Sequence, residues 1–213
     1  MLRVSVLEQN TEICRLDFHK LGMVCADINR WLAEGKRPVR VSVNLSRKHL
    51  ADLNLLEHLM KIIDEGQTPH EYVEMELTET TTDVGFRDLK RIVSGLQQEW
   101  ICTSVDDFGM GYSSLNLIRE VPWNVLKIDR CFLPSDEEEE NSPTSLMYKH
   151  VVAMARDLGL ECVTEGVETA KQVEILKKNH CQVAQGFFFD RPLPVEEFEK
   201  RLDRQYYKPD MKD

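Results

Sequence analysis

Along this chain, segments with the apolar pattern of β-strands alternate with segments that have the apolar pattern of α-helices. The strand-like runs are at 39–45, 72–78, 101–107, 125–129, 161–166 and 182–189. The helix-like stretches are at 21–32, 53–66, 89–96, 147–158, 169–178 and 195–202, with a short helix expected from Ser114. This alternation predicts a parallel β-sheet with helices packed outside it.

The number of predicted strands limits the choice of α/β fold. A closed α/β barrel has eight strands and usually about 250 residues, whereas this chain has 213 residues and six visible strands. We therefore expect an α/β barrel that is incomplete at its N-terminus. The expected organisation is one barrel domain over 1–203 and a polar tail over 204–213.

Composition excludes several classes of protein. The net charge of −10, from 27 basic and 37 acidic side chains, argues against binding of long nucleic acid, whose affinity comes mainly from basic residues. A small anionic ligand remains compatible with this charge if metal ions neutralise it locally. The sequence contains neither an apolar run long enough for a membrane segment nor a signal-peptide pattern, and we expect a cytoplasmic location.

Cysteines, histidines and the acidic run 135–141 carry little functional signal. The six cysteines form no C-x-x-C pair and the histidines form no H-x-H pattern, which argues against a zinc site. We expect the cysteines to be small buried residues in a reducing cytosol. Four consecutive glutamates in 135–141 predict an exposed, solvated loop.

Polar residues stand at the carboxyl end of every predicted strand. In parallel sheets these ends lie on one edge, and the loops beyond them form the active site. A single such residue is more often a loop residue or a helix cap, but six strands that all end this way favour a site. So much negative charge is costly to gather unless cations share the space. The residues are Asn44, Glu76, Glu79, Asp106, Asp107, Lys127, Asp129, Glu165, Glu168 and Gln185.

The predicted ligands are all oxygen donors, which favour magnesium, manganese or calcium over zinc or copper. Two such ions, about 3.5–4 Å apart, can activate a water and stabilise the leaving oxygen of a phosphodiester. Lys127 could position the water, help to deprotonate it or neutralise the phosphate. The predicted ligand set is Asn44, Glu76, Asp106, Asp107 and Glu165.

Six motifs of this chain resemble those of the EAL family of cyclic di-GMP phosphodiesterases. They are VNLS, ELTE, DDFGMGYSSL, LKID, TEGVET and QGFFFDRPLP, and their order and spacing match from about Val4 to Leu202. The resemblance implies a modified (β/α) TIM-like barrel. It also implies hydrolysis of cyclic di-GMP to the linear dinucleotide pGpG with two Mg²⁺ or Mn²⁺ ions.

The resemblance assigns a role to each residue that matches a family motif. It implies a catalytic set of Lys127, Glu165, Asp106 and Gln185, in which Lys127 orients the attacking water and Gln185 holds a metal-bound water. It implies metal ligation by Asn44, Glu76, Asp106, Asp107 and Glu165, and anchoring of the loop after the paired aspartates by Glu79. Asp129 and Glu168 are carried over as further site residues.

The sequence also departs from the family pattern. The Glu-Ala-Leu motif and its following arginine belong to a first strand that we expect to lie upstream of Met1, so little activity is expected of these residues alone. Met110 replaces a small residue of the loop, with an expected effect on loop closure. An alternative is therefore a catalytically inactive EAL-like cyclic di-GMP receptor or protein-interaction module. A metal-dependent barrel of another kind, such as an aldolase, does not explain the ordered motifs.

The expected partners also follow from the resemblance. They are cyclic di-GMP, a second copy of the chain in a homodimer, and an upstream regulatory or GGDEF (cyclase-like) domain of a longer protein.

Overall fold

The computed structural model describes residues 12–78, 83–109 and 115–203. The chain divides into two compact units. The described residues of the first unit lie within Met1–Ser104 and Ser114–Trp123, and those of the second lie within Val105–Ser113 and Asn124–Asp213. Strand β3, Cys102–Phe108, contributes its first three residues to the first unit and its last four to the second.

The first unit contains strands and helices in alternation, as the sequence predicts. Strands β1 and β2 pair in parallel, with Val41 opposite Val73 and Asn44 opposite Glu76, and the strand order in this unit is β1-β2-β3. Short 3₁₀ helices cover Arg47–Ala51 and His70–Tyr72. The elements are α1 (Glu12–Ala33), β1 (Val41–Asn44), α2 (Leu55–Glu65), β2 (Val73–Thr78), α3 (Asp83–Gln98), the start of β3, and α4 (Leu115–Glu120).

Burial of strand β2 accounts for its mixed composition. Its first five residues are buried, so both faces of the strand are covered. The apolar residues at alternate positions belong to the core, and Glu74 on the other face is paired with Arg40, whose Nε lies 2.7 Å from Oε2 of Glu74. Helix α2 packs through Leu55 and Leu59 at four-residue spacing, both fully buried, as an amphipathic helix requires.

The second unit continues the parallel arrangement. Its strand order is β3-β4-β5-β6; Lys127 lies opposite Val163 on β5, and Val163 lies opposite Val183 on β6. A 3₁₀ helix covers Arg130–Phe132. The elements are the end of β3, β4 (Val125–Ile128), α5 (Pro143–Asp157), β5 (Glu161–Thr164), α6 (Ala170–Lys178), β6 (Val183–Ala184) and α7 (Val195–Leu202).

Helix α6 begins and ends at the residues that its sequence indicates. The Thr169 side chain accepts a hydrogen bond from the backbone N–H of Gln172, and the Gln172 side chain accepts one from the backbone of Thr169. This capping box satisfies N–H groups that have no partner within the helix. Asn179 closes the helix. The chain therefore turns into a helix four residues after Glu165, which leaves Glu165 at the sheet edge.

The structure confirms the alternation of strands and helices but corrects the last strand. A strand is predicted over 182–189, whereas β6 contains only Val183 and Ala184. The backbone N–H of Phe188 donates to the carbonyl of Val167, and that of Phe189 donates to Gly186. These bonds curl the chain into a turn, so the apolar run of three phenylalanines does not extend the strand.

The cysteines also differ from the expectation. Cys25 and Cys181 are buried, Cys14, Cys102 and Cys162 are partly exposed, and Cys131 is exposed. The expected burial of all six is therefore wrong, because Cys131 lies in the 3₁₀ helix that follows β4 rather than inside the apolar strand. The acidic run 135–141 contains no strand or helix, as predicted. Among the described residues, no helix combines the length and apolar composition needed to cross a membrane.

Candidate active site

A buried lysine stands at the centre of the site in the second unit. All four residues of β4 are buried, and Lys127 is only 6% exposed. Its Nζ lies 2.7 Å from Oε1 of Glu165 and 3.4 Å from Oδ1 of Asp106. An ammonium group in this position needs opposite charge beside it to offset its lost hydration. The ends of β3 and β5 supply that charge from either side of β4.

Further carboxylates crowd the same edge. One carboxylate oxygen each from Asp107, Asp129 and Glu165 lies within 4.8 Å of the other two. Burial raises the pKa of Asp107, and the charges of Asp106 and Asp129 raise it further. Ionised Asp107 is therefore disfavoured by lost hydration and by its acidic neighbours, and Lys127 offsets this only in part.

Glu165 belongs both to this acidic cluster and to the lysine ion pair. Burial raises its pKa most, the hydrogen bond and charge of Lys127 lower it, and Asp106 and Asp107 raise it again, so that the net direction is upward. Burial and the neighbouring aspartates together therefore outweigh the stabilisation that Lys127 gives to the ionised Glu165 carboxylate.

The residues of this site fit a metal ion bound through oxygen. Oδ1 of Asp106 is buried and, among the described residues, receives no hydrogen bond, although Nζ of Lys127 lies 3.4 Å away. A buried carboxylate oxygen without a hydrogen bond is costly, and a cation would satisfy it. The donor set contains only carboxylates, which suits hard divalent ions.

Backbone geometry fixes the positions of the acidic residues. The Asp129 carboxylate accepts a hydrogen bond of 2.8 Å from the backbone N–H of Cys131 and so caps the 3₁₀ helix after β4. Asp107 has a φ of 53°, and Gly109 has a φ of 110°, a conformation that favours glycine. A Cβ on Gly109 would lie 1.8 Å from Cε2 of Phe132. The paired aspartates therefore lead into a turn that only glycine can complete.

Gln185 and Glu168 lie near this edge in different settings. Gln185 follows β6, where its backbone N–H donates to the carbonyl of Thr164 at 2.8 Å and its own carbonyl accepts from Val167. Glu168 is exposed, and its backbone N–H donates to Oε1 of Gln172. Among the described residues, the acidic cluster includes Asp129 and not Glu168. The sequence ranked Asp129 and Glu168 equally, and the geometry favours Asp129.

Two predicted ligands belong to the first unit. Asn44 and Glu76 are opposite each other on β1 and β2, and the backbone N–H of Leu45 donates to the carbonyl of Glu76 at 2.8 Å. Asn44 is exposed, whereas Glu76 is buried. Asn44 at the end of β1 and Glu76 near the end of β2 thus place two oxygen donors at the same level of the sheet. Glu79 and Met110, also singled out by the sequence, lie outside the described residues.

Arg47 is a positioning residue that the sequence analysis missed. Its Nε donates to the carbonyl oxygen of Thr78 at 2.8 Å, and a second guanidinium nitrogen donates to the same oxygen. The arginine therefore holds the carboxyl end of β2, two residues beyond Glu76. Its position three residues after the polar end of β1 is a signal that could have indicated this role.

Parallel strands whose carboxyl ends carry an acidic cluster and a buried lysine define an α/β domain of TIM-like type with a site suited to a metal ion. The chain belongs to the EAL domain family, whose sequence model matches residues 3–192.

Similar proteins agree with this assignment. The cyclic di-GMP phosphodiesterase NbdA of Pseudomonas aeruginosa is 31% identical over 202 residues, which cover 93% of this chain and 25% of NbdA. The bifunctional diguanylate cyclase/cyclic di-GMP phosphodiesterase MucR of the same species is 33% identical over 180 residues, covering 83% of this chain and 26% of MucR. The chain thus spans about a quarter of the length of these curated relatives.

Solved structures resemble the chain over most of its length. The MucR phosphodiesterase in complex with cyclic di-GMP has a TM-score of 0.81 and 31% identity, covering 92% of this chain and 84% of that one. The EAL domain of Mycobacterium smegmatis DcpA has a TM-score of 0.77 and 33% identity, covering 86% and 82%. These likenesses confirm the predicted modified TIM-like α/β barrel fold.

Proposed function

We propose that this chain hydrolyses cyclic di-GMP to pGpG with the help of Mg²⁺ or Mn²⁺. The observation that carries the proposal is the buried ammonium of Lys127, held between Asp106 and Glu165 beside a cluster of carboxylates. Relatives named as cyclic di-GMP phosphodiesterases, and the MucR complex with cyclic di-GMP, support the choice of substrate.

The metal ions would be held by oxygen atoms of this edge. Asp106, Asp107 and Glu165 are the proposed ligands in the second unit, and Asp129 joins them because its carboxylate lies within the same cluster. Asn44 and Glu76 stay predicted ligands from the family resemblance. When bound, a pair of divalent ions lowers the pKa of a water molecule and neutralises charge on the phosphodiester.

The reaction hydrolyses one phosphodiester bond of cyclic di-GMP. The water oxygen forms a bond to phosphorus, the bond from phosphorus to the ribose O3′ breaks, and O3′ leaves with a proton as a hydroxyl. Lys127 orients the water or the phosphate oxygens through its N–H groups, while Asp106 and Glu165 keep its side chain in place. A positioned group of this kind contributes through orientation and electrostatics.

Several predictions from the resemblance remain part of this proposal. They are a water-holding role for Gln185, a loop-anchoring role for Glu79, and a further site role for Glu168. A homodimer, a cytoplasmic location and a regulatory or GGDEF domain elsewhere in a longer protein are also proposed. The bifunctional name of MucR supports a pairing with a cyclase.

A second candidate function is binding of cyclic di-GMP without turnover. The observation that favours it is the sequence itself, since the 213 residues contain no Glu-Ala-Leu tripeptide, and the family resemblance links that motif to a further glutamate ligand. Such a chain would act as a receptor or as a protein-interaction module.

Chromatography of the reaction products, combined with a binding measurement, distinguishes hydrolysis of cyclic di-GMP from binding without turnover. The chain, and a version extended at its N-terminus by any upstream coding sequence, are incubated with cyclic di-GMP and Mn²⁺, and pGpG is quantified while calorimetry measures binding. We expect Mn²⁺-dependent pGpG that is lost with a chelator, at a higher rate for the extended version. Binding by both versions without pGpG would establish the receptor, and absence of both binding and turnover would overturn the proposal.

A further inference from the structure

A second set of reactive side chains lies on the other face of β5. Side chains alternate along a strand, so Cys162 and Thr164 face away from the side that carries Val163 and Glu165. The hydroxyl of Tyr148 on α5 lies 2.8 Å from Oγ1 of Thr164, and Sγ of Cys181 lies 3.2 Å from the same atom. Thr164, Tyr148 and Cys181 are all buried.

Cys162 and Cys181 are neighbours in this set. The thiol of Cys181 donates to the carbonyl oxygen of Cys162, with Sγ 3.5 Å from that oxygen, and each thiol shifts the pKa of the other. Val163 is opposite Val183, so Cys162 stands next to the residue that follows Cys181. The two cysteines are therefore neighbours across β5 and the segment that leads into β6, one residue out of register.

The surroundings of the two thiols shift their pKa values in opposite directions, so that one of them is the better nucleophile. Interaction with the Cys162 thiol lowers the pKa of Cys181; burial opposes this, and the hydroxyls of Thr164 and Tyr148 lower it further. The same interaction raises the pKa of Cys162, and burial adds to that effect. Cys181 is therefore the thiol of the pair that ionises more readily, and thiolates are the form that reacts with oxidants.

A cavity gives small molecules access to the Cys162 side of this pair, and the residues on either side of Cys181 also line it. It has a volume of about 480 Å³ and its lining includes Cys162, Arg156, Glu161 and His180. Cys162 is partly exposed and Cys181 is 5% exposed. The cavity contains the first residues of β5 and β6, so it lies at the opposite end of these strands from Glu165 and Gln185. An oxidant the size of hydrogen peroxide fits such a space.

We infer that Cys162 and Cys181 form a reversible dithiol–disulfide site that hydrogen peroxide oxidises. The Cys181 sulfur attacks one peroxide oxygen, the O–O bond breaks, and the other oxygen leaves as water after taking a proton, so that Cys181 becomes a sulfenic acid. The Cys162 sulfur then attacks the Cys181 sulfur, the S–O bond breaks, and a second water leaves with the Cys162 proton. The two thiols supply the two electrons that reduce the peroxide.

Cys131 provides a built-in comparison. It is exposed, so accessibility alone predicts that it reacts first. If Cys162 and Cys181 are oxidised before Cys131, their reactivity is not explained by exposure to solvent.

Peptide mapping after limited oxidation tests the inference. The wild-type chain is treated with hydrogen peroxide, its free thiols are alkylated, and its peptides are identified by mass spectrometry. We expect a cross-linked peptide joining Cys162 to Cys181 before Cys131 is modified, and its disappearance on reduction with dithiothreitol. Oxidation of Cys131 while Cys162 and Cys181 remain free thiols would overturn the inference.

Serine variants sharpen the test. Cys162→Ser is expected to leave Cys181 as a sulfenic acid that dimedone traps, whereas Cys131→Ser keeps the cross-link. Circular dichroism confirms that each variant is folded. If Cys162→Ser does not fold, the wild-type chain in urea serves instead, because a pair that the native fold holds together is expected to cross-link less when the chain is unfolded. Equal cross-linking in both states would contradict the inference.

Discussion

Nζ of Lys127 lies 2.7 Å from Oε1 of Glu165, although the residue opposite Lys127 on β5 is Val163. The lysine side chain therefore extends along the sheet face toward the carboxyl ends of the strands. The backbone N–H of Glu165 donates to the carbonyl of Ile128 at 2.9 Å, which fixes Glu165 one step beyond the paired residues. Through this diagonal ion pair, a lysine whose backbone lies within the sheet places its ammonium group at the edge where the carboxylates lie.

Replacement of this lysine is expected to remove turnover. Lys127→Ala should lower the rate of pGpG formation by about 100-fold or more, because the group that orients the water or phosphate is lost. The same loss is expected for Asp106→Asn. The measurement is steady-state hydrolysis of cyclic di-GMP in whichever version of the protein turns over.

A control for this experiment is Lys200→Ala. Lys200 forms an exposed ion pair with Glu197 on α7, with Nζ 2.5 Å from Oε1, and its loss should leave the rate unchanged. Unchanged turnover in Lys127→Ala would remove the role assigned to this residue.

Neutralising one member of the acidic cluster is expected to change stability and metal affinity in opposite directions. Asp107→Asn removes like-charge repulsion from Asp106 and Asp129, the groups that help to raise its pKa. Without metal, the melting temperature should rise by about 2–5 °C, while the affinity for Mn²⁺ should fall on the order of tenfold. Scanning calorimetry and a Mn²⁺ titration provide the two measurements.

Glu196→Gln is the matched control, because Glu196 is an exposed carboxylate in the first turn of α7. It should leave Mn²⁺ affinity unchanged. A lower melting temperature for metal-free Asp107→Asn would show that the cluster is not strained by its own charge.

Metal affinity is expected to fall with decreasing pH earlier than ordinary carboxylates would predict. Burial first, and neighbouring carboxylates next, raise the pKa of Asp107, and burial likewise raises that of Glu165 despite Lys127. A raised pKa means that protons bind these groups at higher pH and compete with the metal. Mn²⁺ titrations between about pH 7.5 and about pH 5 should therefore give a steadily weakening affinity. A constant affinity over this range would contradict the proposed ligands.

Substitution of Gly109 is expected to disrupt the turn after the paired aspartates. The new Cβ of Gly109→Ala would overlap the Phe132 ring, at a φ of 110°. We expect the free energy of unfolding to fall by about 3 kcal/mol and turnover to fall as well, because Asp107 lies two residues earlier. Urea denaturation measures the first effect.

Gly159→Ala separates overlap from backbone strain. Gly159 has a φ of 76°, but no heavy atom lies within 4 Å of the position that a Cβ would take, so this variant reports strain alone, at about 1–2 kcal/mol. The double variant Gly109→Ala, Phe132→Ala removes the overlapping ring. Equal losses for the two single alanine variants would show that Phe132 does not restrict the turn.

Much of the site could be predicted because its signals are local. Helix α6 starts at Thr169 and stops at Asn179 through hydrogen bonds within a few residues, and such caps can be identified in a sequence. The polar strand ends were equally visible, since parallel strands necessarily bring their carboxyl ends to one edge. The prediction of strand β6 was too long because its apolar run resembles a strand, while the bond from Phe188 to Val167 turns the chain away.

The order of residues was enough to establish the alternating α/β class and the acidic carboxyl edge, because both depend on periodicity along a continuous chain. Packing between distant segments decided the rest. It buried Lys127 between Asp106 and Glu165, placed Asp129 rather than Glu168 in the acidic cluster, and brought Cys162 beside Cys181. Distances and pKa values depend on which side chains meet across strands, and no local pattern encodes that pairing.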